Sequence, residues 1–307
     1  MGKIMVEYES RFARPVYNKF GEKIYLDQMT MAELLERVKK NDIVMVPCGS
    51  TESHGLAQAI GEDTIIGTYI AERVAFETGV TVAPPIYYGS HPSHHYGMPG
   101  TIPVKKEAYI DYVTSVVKWL SNAGFKKIIL FNSHGQEYVL PIVKDKAIIE
   151  EGVKALILVT SWWRWAVDKL QVGTELKPGL FIETPFIHAD EVEGSVLWYV
   201  APKLVDPTKL KESDAERMVG VIPDKWIDKA GNVYNRPLAW YDVSAYMEIH
   251  HYPKGSVGYP SKASREKGEV IVETAIQRLV EFVDWLHRTY PPGVVPQVWP
   301  NPGDFKY

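Results

Sequence analysis

The chain has 307 residues, 46% of them apolar and 23% charged, and a formal charge of −4. That balance, with no long run of Lys and Arg, excludes a dedicated nucleic-acid binder and a protein held electrostatically on a membrane. No apolar run approaches the roughly 20 residues of a bilayer span, and the single cysteine, Cys48, excludes an internal disulfide and a cysteine-built zinc site.

The N-terminal twenty residues carry charges throughout and no apolar signal core, so a cytoplasmic location is expected. Thr30 is placed to cap an amphipathic helix running to Lys40, with Met31, Leu34, Leu35 and Val38 at helical spacing. Ile43 to Cys48 reads as a buried strand, followed by a loop over 49–63 and a helix from Thr64 to about Glu77. Val80 to Pro84 is the next strand, and it enters a loop of Gly, Pro and His from Tyr87 to Pro103. The periodicity predicts a helix over Lys106 to Asn122, a strand over Lys127 to Asn132, a helix over Tyr138 to Glu151 and a strand over Ala155 to Thr160. Asp206 to Met247 is less regular and reads as loops with a small antiparallel element. A long amphipathic helix over Glu266 to Tyr290 precedes a surface tail from Pro291. Strands alternating with helices of this length imply a three-layer αβα sandwich around a mainly parallel sheet. With no compositional linker in view, 1–307 reads as one α/β domain with an N-terminal extension over 1–30 and a tail over 291–307.

In an open parallel sheet, ligands bind at the carboxyl ends of the strands. The loop after the first strand contains Glu52, His54, Glu62 and Asp63; the second contains His91, His94 and His95; the third contains His134 and Glu137. Glu52 and His54 leave extended backbone on the same side. Alone they fit an ordinary polar loop as well as a metal site. Asp63 and His134, each near a strand end or helix start, shift the balance to metal. Any such ligands must be His, Asp and Glu, which suit zinc, manganese or iron better than calcium. In the segment HADEVEGS from His188, Asp190 and Glu193 fit one face of a helix start. An acidic first turn complementing the helix dipole fits equally well. Cys48 ends an apolar strand and reads as core. Trp162 and Trp163 follow the fourth strand, where packing and a substrate-pocket wall are both open. GSTESHG lacks the Lys of a phosphate loop and does not match a dinucleotide fingerprint.

Taken in order, GSTESHG, IGEDT, HHYGMPGT, NSHG, HADEVEGS and GSVGYPSKASREKG resemble the creatinine amidohydrolase (creatininase) superfamily over roughly Met31 to Trp285. The resemblance implies one or two divalent ions (Zn, Mn or Fe) held by Glu52, His54, Asp63 and His134, with Asp63 between them. Creatinine-hydrolysing members carry a Glu where this chain has Gln136, and many relatives use the residue that falls on Glu193, so Glu193 is the expected fifth ligand. His188 falls on an acid/base or substrate-orienting group, and Glu137, where relatives often carry Asn, is a second catalytic candidate. His95, Gln136, Trp162 and Trp163 are the expected substrate contacts. The aromatic N-terminal extension, the His134–Glu137 variant and the Trp-rich tail resemble the branch that opens a cyclic diketone in inositol catabolism. The expected activity is therefore hydrolysis of a ring C–C bond in a small polyhydroxy ketone. An amidohydrolase acting on a cyclic amide or formamide is the alternative; the full ligand set argues against a non-catalytic metal or sugar sensor. The resemblance also implies a homo-oligomer, a hexamer built from dimers or trimers. The aromatic ends, Tyr17 to Tyr25 and Trp299 to Tyr307, fit that expectation.

Overall fold

Two six-residue segments, β1 (Ile43–Cys48) and β3 (Lys127–Asn132), are buried along their whole length, as strands covered on both faces must be. They pair in parallel from Ile43 against Lys127 to Cys48 against Asn132. β2 (Thr81–Val82) adds outside β1 and β4 (Leu156–Ser161) outside β3, giving the order β2-β1-β3-β4 with every pairing parallel. The computed structural model describes residues 14–215, 223, 225–228, 237–239, 250 and 252–295.

Alternation along the strands sends Ile43, Met45, Ile129 and Phe131 to one face. There they meet α2 (Glu62–Thr78), α5 (Glu191–Val200) and α7 (Arg265–Thr289), through Ile66, Ile70, Val192, Val196, Ile271 and Leu279. Val44, Val46, Ile128 and Leu130 face the other way, onto α3 (Lys106–Asn122) and α4 (Leu140–Ile149). α1 (Met31–Lys40) begins at a reciprocal cap, in which Glu33 N donates to Thr30 Oγ1 and Thr30 N donates to the Glu33 carboxylate. A four-residue helix, α6 (Leu210–Ser213), precedes the C-terminal part.

Three expectations shift. β2 is two residues long because Pro84 and Pro85 have no N–H to continue a ladder. A short antiparallel hairpin of β5 (Glu175–Lys177) and β6 (Leu180–Phe181) occurs where no strands were expected. Within 206–247 the described strands are a two-residue parallel pair, β7 (Ile227–Asp228) with β8 (Leu238–Ala239). Most of that region, the extension before residue 14 and the tail beyond 295, Trp299 to Tyr307 included, lie outside the described residues. Among the described residues no helix is long and apolar enough to cross a membrane.

The amino edge of the sheet is closed by a buried ion pair. Lys127 Nζ lies 2.6 Å from Asp42 Oδ1, with neither side chain exposed. Lys127 also donates to the Pro291 carbonyl at 3.0 Å, and Gly293 N donates to Asp42 Oδ2 at 2.8 Å, so the chain leaving α7 is tied beneath the sheet. Removing one charge strands the other in a dry setting. Lys127→Met should therefore destabilise the fold by about 3–5 kcal/mol in equilibrium urea unfolding, and adding Asp42→Leu should recover most of that loss.

Candidate metal centre

Two close approaches bring the first turn of α2 against the ends of β1 and β3. A Cβ on Gly49 would stand 2.4 Å from Thr64 Oγ1, and one on Gly67 would stand 2.4 Å from Ser133 Oγ. With both glycines in place, Ser133 Oγ donates to the Asp63 carbonyl at 2.6 Å and Thr64 Oγ1 to the Ser50 carbonyl at 3.2 Å. Those bonds deliver Asp63 to the carboxyl edge of the sheet. Glu52 is set beside it by its own N–H, which donates to the Ile60 carbonyl at 2.8 Å.

Three imidazoles are oriented by backbone carbonyls, which can only accept. His54 Nδ1 donates to the Glu52 carbonyl at 3.1 Å, His134 Nε2 to the Ser90 carbonyl at 3.1 Å, and His188 Nε2 to the Ser53 carbonyl at 2.9 Å. Each ring therefore turns its other nitrogen inward. His134 Nδ1 lies 3.0 Å from Glu52 Oε2 and 3.1 Å from Asp63 Oδ2. His54 Nε2 lies 3.4 Å from Asp63 Oδ1 and 3.9 Å from Glu193 Oε2. An imidazole lone pair facing a carboxylate oxygen is repulsive unless a proton or a metal cation lies between them. The donors are nitrogen and oxygen, buried and convergent, and they fit a divalent ion. His95 Nδ1 contacts Glu52 Oε1, and His91, held by Ser50 Oγ at 2.8 Å, places Nδ1 3.8 Å from the same oxygen. Three groupings result, each with its ligand atoms within 4.8 Å of one another: Glu52 with His91, His95 and His134; Glu52 with His54 and His188; His54 with Glu62 and Glu193.

The electrostatics register the same crowding. Burial pushes His134 down, but Glu52 and Asp63 outweigh it and raise the ring to about 10. His54, against the same burial, is pushed well above the usual histidine range by Glu62 and Asp63. Burial dominates at His91 and His188, lowering them to about 4 and about 3. Burial likewise raises Glu62 to about 8 and Glu193 well above the carboxylate range.

The two readings open for HADEVEGS both apply, to different residues. Asp190 caps α5, accepting from Val192 N at 2.8 Å, Glu193 N at 3.2 Å and Ile187 N. Glu191 turns away from the site and accepts from Glu183 N, Thr184 N, Thr184 Oγ1 and, at 2.7 Å, Lys267 Nζ. Glu193 faces the site and accepts from Ala189 N at 2.5 Å. Ala189 is left-handed at φ 47°, the one such non-glycine among the described residues. The C-terminal motif supports this turn from behind, with Val257 N donating to the His188 carbonyl at 2.9 Å.

Of the expected site residues, Glu52, His54, Asp63, His95, His134, His188 and Glu193 are brought together. Gln136 is not available as a substrate contact, because its amide is used within the protein. Oε1 accepts from Ser90 N at 3.0 Å, and Nε2 donates to the Cys48 carbonyl at 3.3 Å and Asn132 Oδ1 at 3.2 Å. Trp162 and Trp163, 1% and 8% exposed, pack in the core with Phe186 at ring separations of 5.7 and 6.0 Å, the packing alternative left open for them. Glu137 is partly buried, outside the three ligand groupings, with its carboxyl raised by burial. Glu62 and His91 are the residues sequence reasoning left unassigned. Their only signal was their place in the same strand-end loops.

A dry cluster of carboxylates and imidazoles at the carboxyl edge of a parallel sheet defines an α/β protein built to hold divalent cations. The creatinine amidohydrolase (Creatininase) family model matches residues 27–283, and the chain belongs to that family. The 3-dehydro-scyllo-inosose hydrolase of Thermotoga maritima is 43% identical over 275 residues, 89% of this chain and 86% of that protein. Two solved creatininases share the fold. A mutant described as Zn–Zn type has a TM-score of 0.68 at 23% identity, over 87% of this chain and 98% of that one. A manganese creatininase has a TM-score of 0.67 at 21% identity, over 88% and 99%. If the cluster is a metal centre, Glu52→Gln and His134→Ala should each lower bound zinc by about one ion per chain, read by elemental analysis after exhaustive dialysis. Trp162→Phe, in the core, should leave zinc content unchanged.

Proposed function

We propose that this chain is a divalent-metal-dependent hydrolase that opens 3-dehydro-scyllo-inosose by breaking a ring C–C bond. The observation that carries the reading is the 43% identity to the Thermotoga maritima inosose hydrolase across 89% of this chain. Glu52, Asp63 and His134 would hold one ion, and His54, Asp63 and Glu193 a second, with Asp63 between them. When bound, such ions activate water and polarise a carbonyl.

The chain's own residues supply the rest. His188 donates through Nε2 to Ser53, which leaves Nδ1 as an acceptor within the cluster, 3.8 Å from Glu193 Oε2. It is read as the group that takes a proton from the attacking water and returns it to the leaving fragment. Water adds to one ring carbonyl, and the bond to the neighbouring ring carbon then breaks. Its electron pair passes to that carbon and is stabilised as an enolate by the second carbonyl; protonation completes an open-chain keto acid. His95, with Nδ1 against Glu52, is read as positioning that carboxylate rather than meeting substrate. Glu137, partly buried and within electrostatic reach of His134, is read as a second catalytic group.

The test is to incubate metal-loaded protein with the inosose diketone, creatinine and a small formamide. An open-chain keto acid from the diketone is expected. Ring opening of creatinine or release of formate, with the diketone untouched, would contradict the proposal.

The same reading includes a cytoplasmic homo-oligomer, a hexamer of dimers or trimers. It is supported by Tyr112 and Trp119, 55% and 67% exposed and two turns apart on α3. Sedimentation equilibrium should give a multiple of the 34.8 kDa chain mass, and a single-chain mass would overturn the assembly.

A further inference from the structure

Glu62 opens α2 immediately before Asp63 and has no exposed surface. Neither of its oxygens has a hydrogen-bond partner among the described residues, and no other carboxylate there has both oxygens so placed. The other fully buried acids near it are satisfied: Asp190 by three backbone N–H groups, and Glu191 by Lys267 and the Glu183–Thr184 backbone. A carboxylate withdrawn from water without donors is costly, and a fold retains one where something else compensates it. One oxygen of Glu62 lies within 4.8 Å of the ligand atoms of His54 and Glu193, and His54 Nε2 has no hydrogen-bond partner either.

We propose that Glu62 is a ligand of the ion held by His54 and Glu193. The inference rests on the reading of those two residues as ligands given above. Charge is compatible with it, because a divalent cation beside His54 would compensate the buried carboxylate of Glu62 and that of Glu193. Successive residues at a helix start project about 100° apart. Asp63 therefore reaches between His54 and His134, while Glu62 reaches His54 and Glu193.

Zinc-loaded crystals of the unaltered protein, phased at the zinc edge, test the geometry. A Glu62 oxygen about 2.0–2.3 Å from the ion on His54 and Glu193 is the expected result. An ion on those two residues with Glu62 beyond about 3 Å, outside that bonding range, overturns the inference and spares the metal reading. No ion at His54 and Glu193 overturns both. In solution, Glu62→Gln should weaken one of two cobalt sites by at least about 10–100-fold, the loss usual even for residues that only support a ligand. The d–d absorption of that site should change with it. A folded variant with unchanged cobalt affinity and spectrum would contradict the proposal, and should the variant not fold, the crystals decide.

Discussion

Imidazole nitrogens and carboxylate oxygens face one another here across 3.0 to 3.9 Å in a largely buried cluster. Left alone, that arrangement repels, and a protein chain does not hold it without compensation. Protons or cations must occupy the gaps. The upward shifts at His54 and His134 are the proton version of that requirement, and a divalent pair is the metal version. Everything else about the site follows from keeping these groups in place despite their repulsion.

The scaffold does so with short-range, directional contacts. Backbone carbonyls of residues 52, 53 and 90 fix three ring orientations, so His54, His188 and His134 cannot turn their lone pairs away. Gly49 and Gly67 let α2 approach closely enough for Ser133 to hold the Asp63 backbone. Ala189 is held in a left-handed conformation that costs an alanine roughly 1–2 kcal/mol, and its N–H is aimed at Glu193 in consequence. The Lys267–Glu191 pair fixes the start of α5 against α7, so the position of Glu193 depends on a contact outside the cluster. Apart from the Lys127–Asp42 pair at the amino edge, strain and buried charge gather at the edge where the chemistry is proposed, and the apolar core on both faces of the sheet offsets them.

How far this was legible in the sequence depended on the physics involved. β1, α3 and β3 follow from hydrophobic patterning with ends matching those read in advance, because their apolar faces stop at clear breaks. α2 begins two residues before the expected start at Thr64, since Glu62 and Asp63 belong to the site rather than the core. The strand-end rule pointed to the loops that carry Glu52, His54, Glu62, Asp63, His91, His95 and His134, whereas His188 and Glu193 come from the entry to α5 and its first turn. Individual roles were harder. Nothing in the spacing of His91 foretells that Ser50 will hold its ring against Glu52, and Glu62 sits beside Asp63 with no pattern of its own. Gln136 and the tandem tryptophans looked available to a substrate because polarity and strand-end position are sequence properties. Whether a side chain turns into backbone bonding or into the core is decided by tertiary contacts.

Cations in the gaps of this cluster should stabilise the fold beyond what protons in the same gaps achieve. Equilibrium urea unfolding of chelator-treated and zinc-loaded protein, at one pH and protein concentration, tests it most directly. At free zinc near 100 times its dissociation constant, the loaded protein should be more stable by at least about 2.7 kcal/mol, with a correspondingly higher midpoint. Identical midpoints with and without zinc would contradict it.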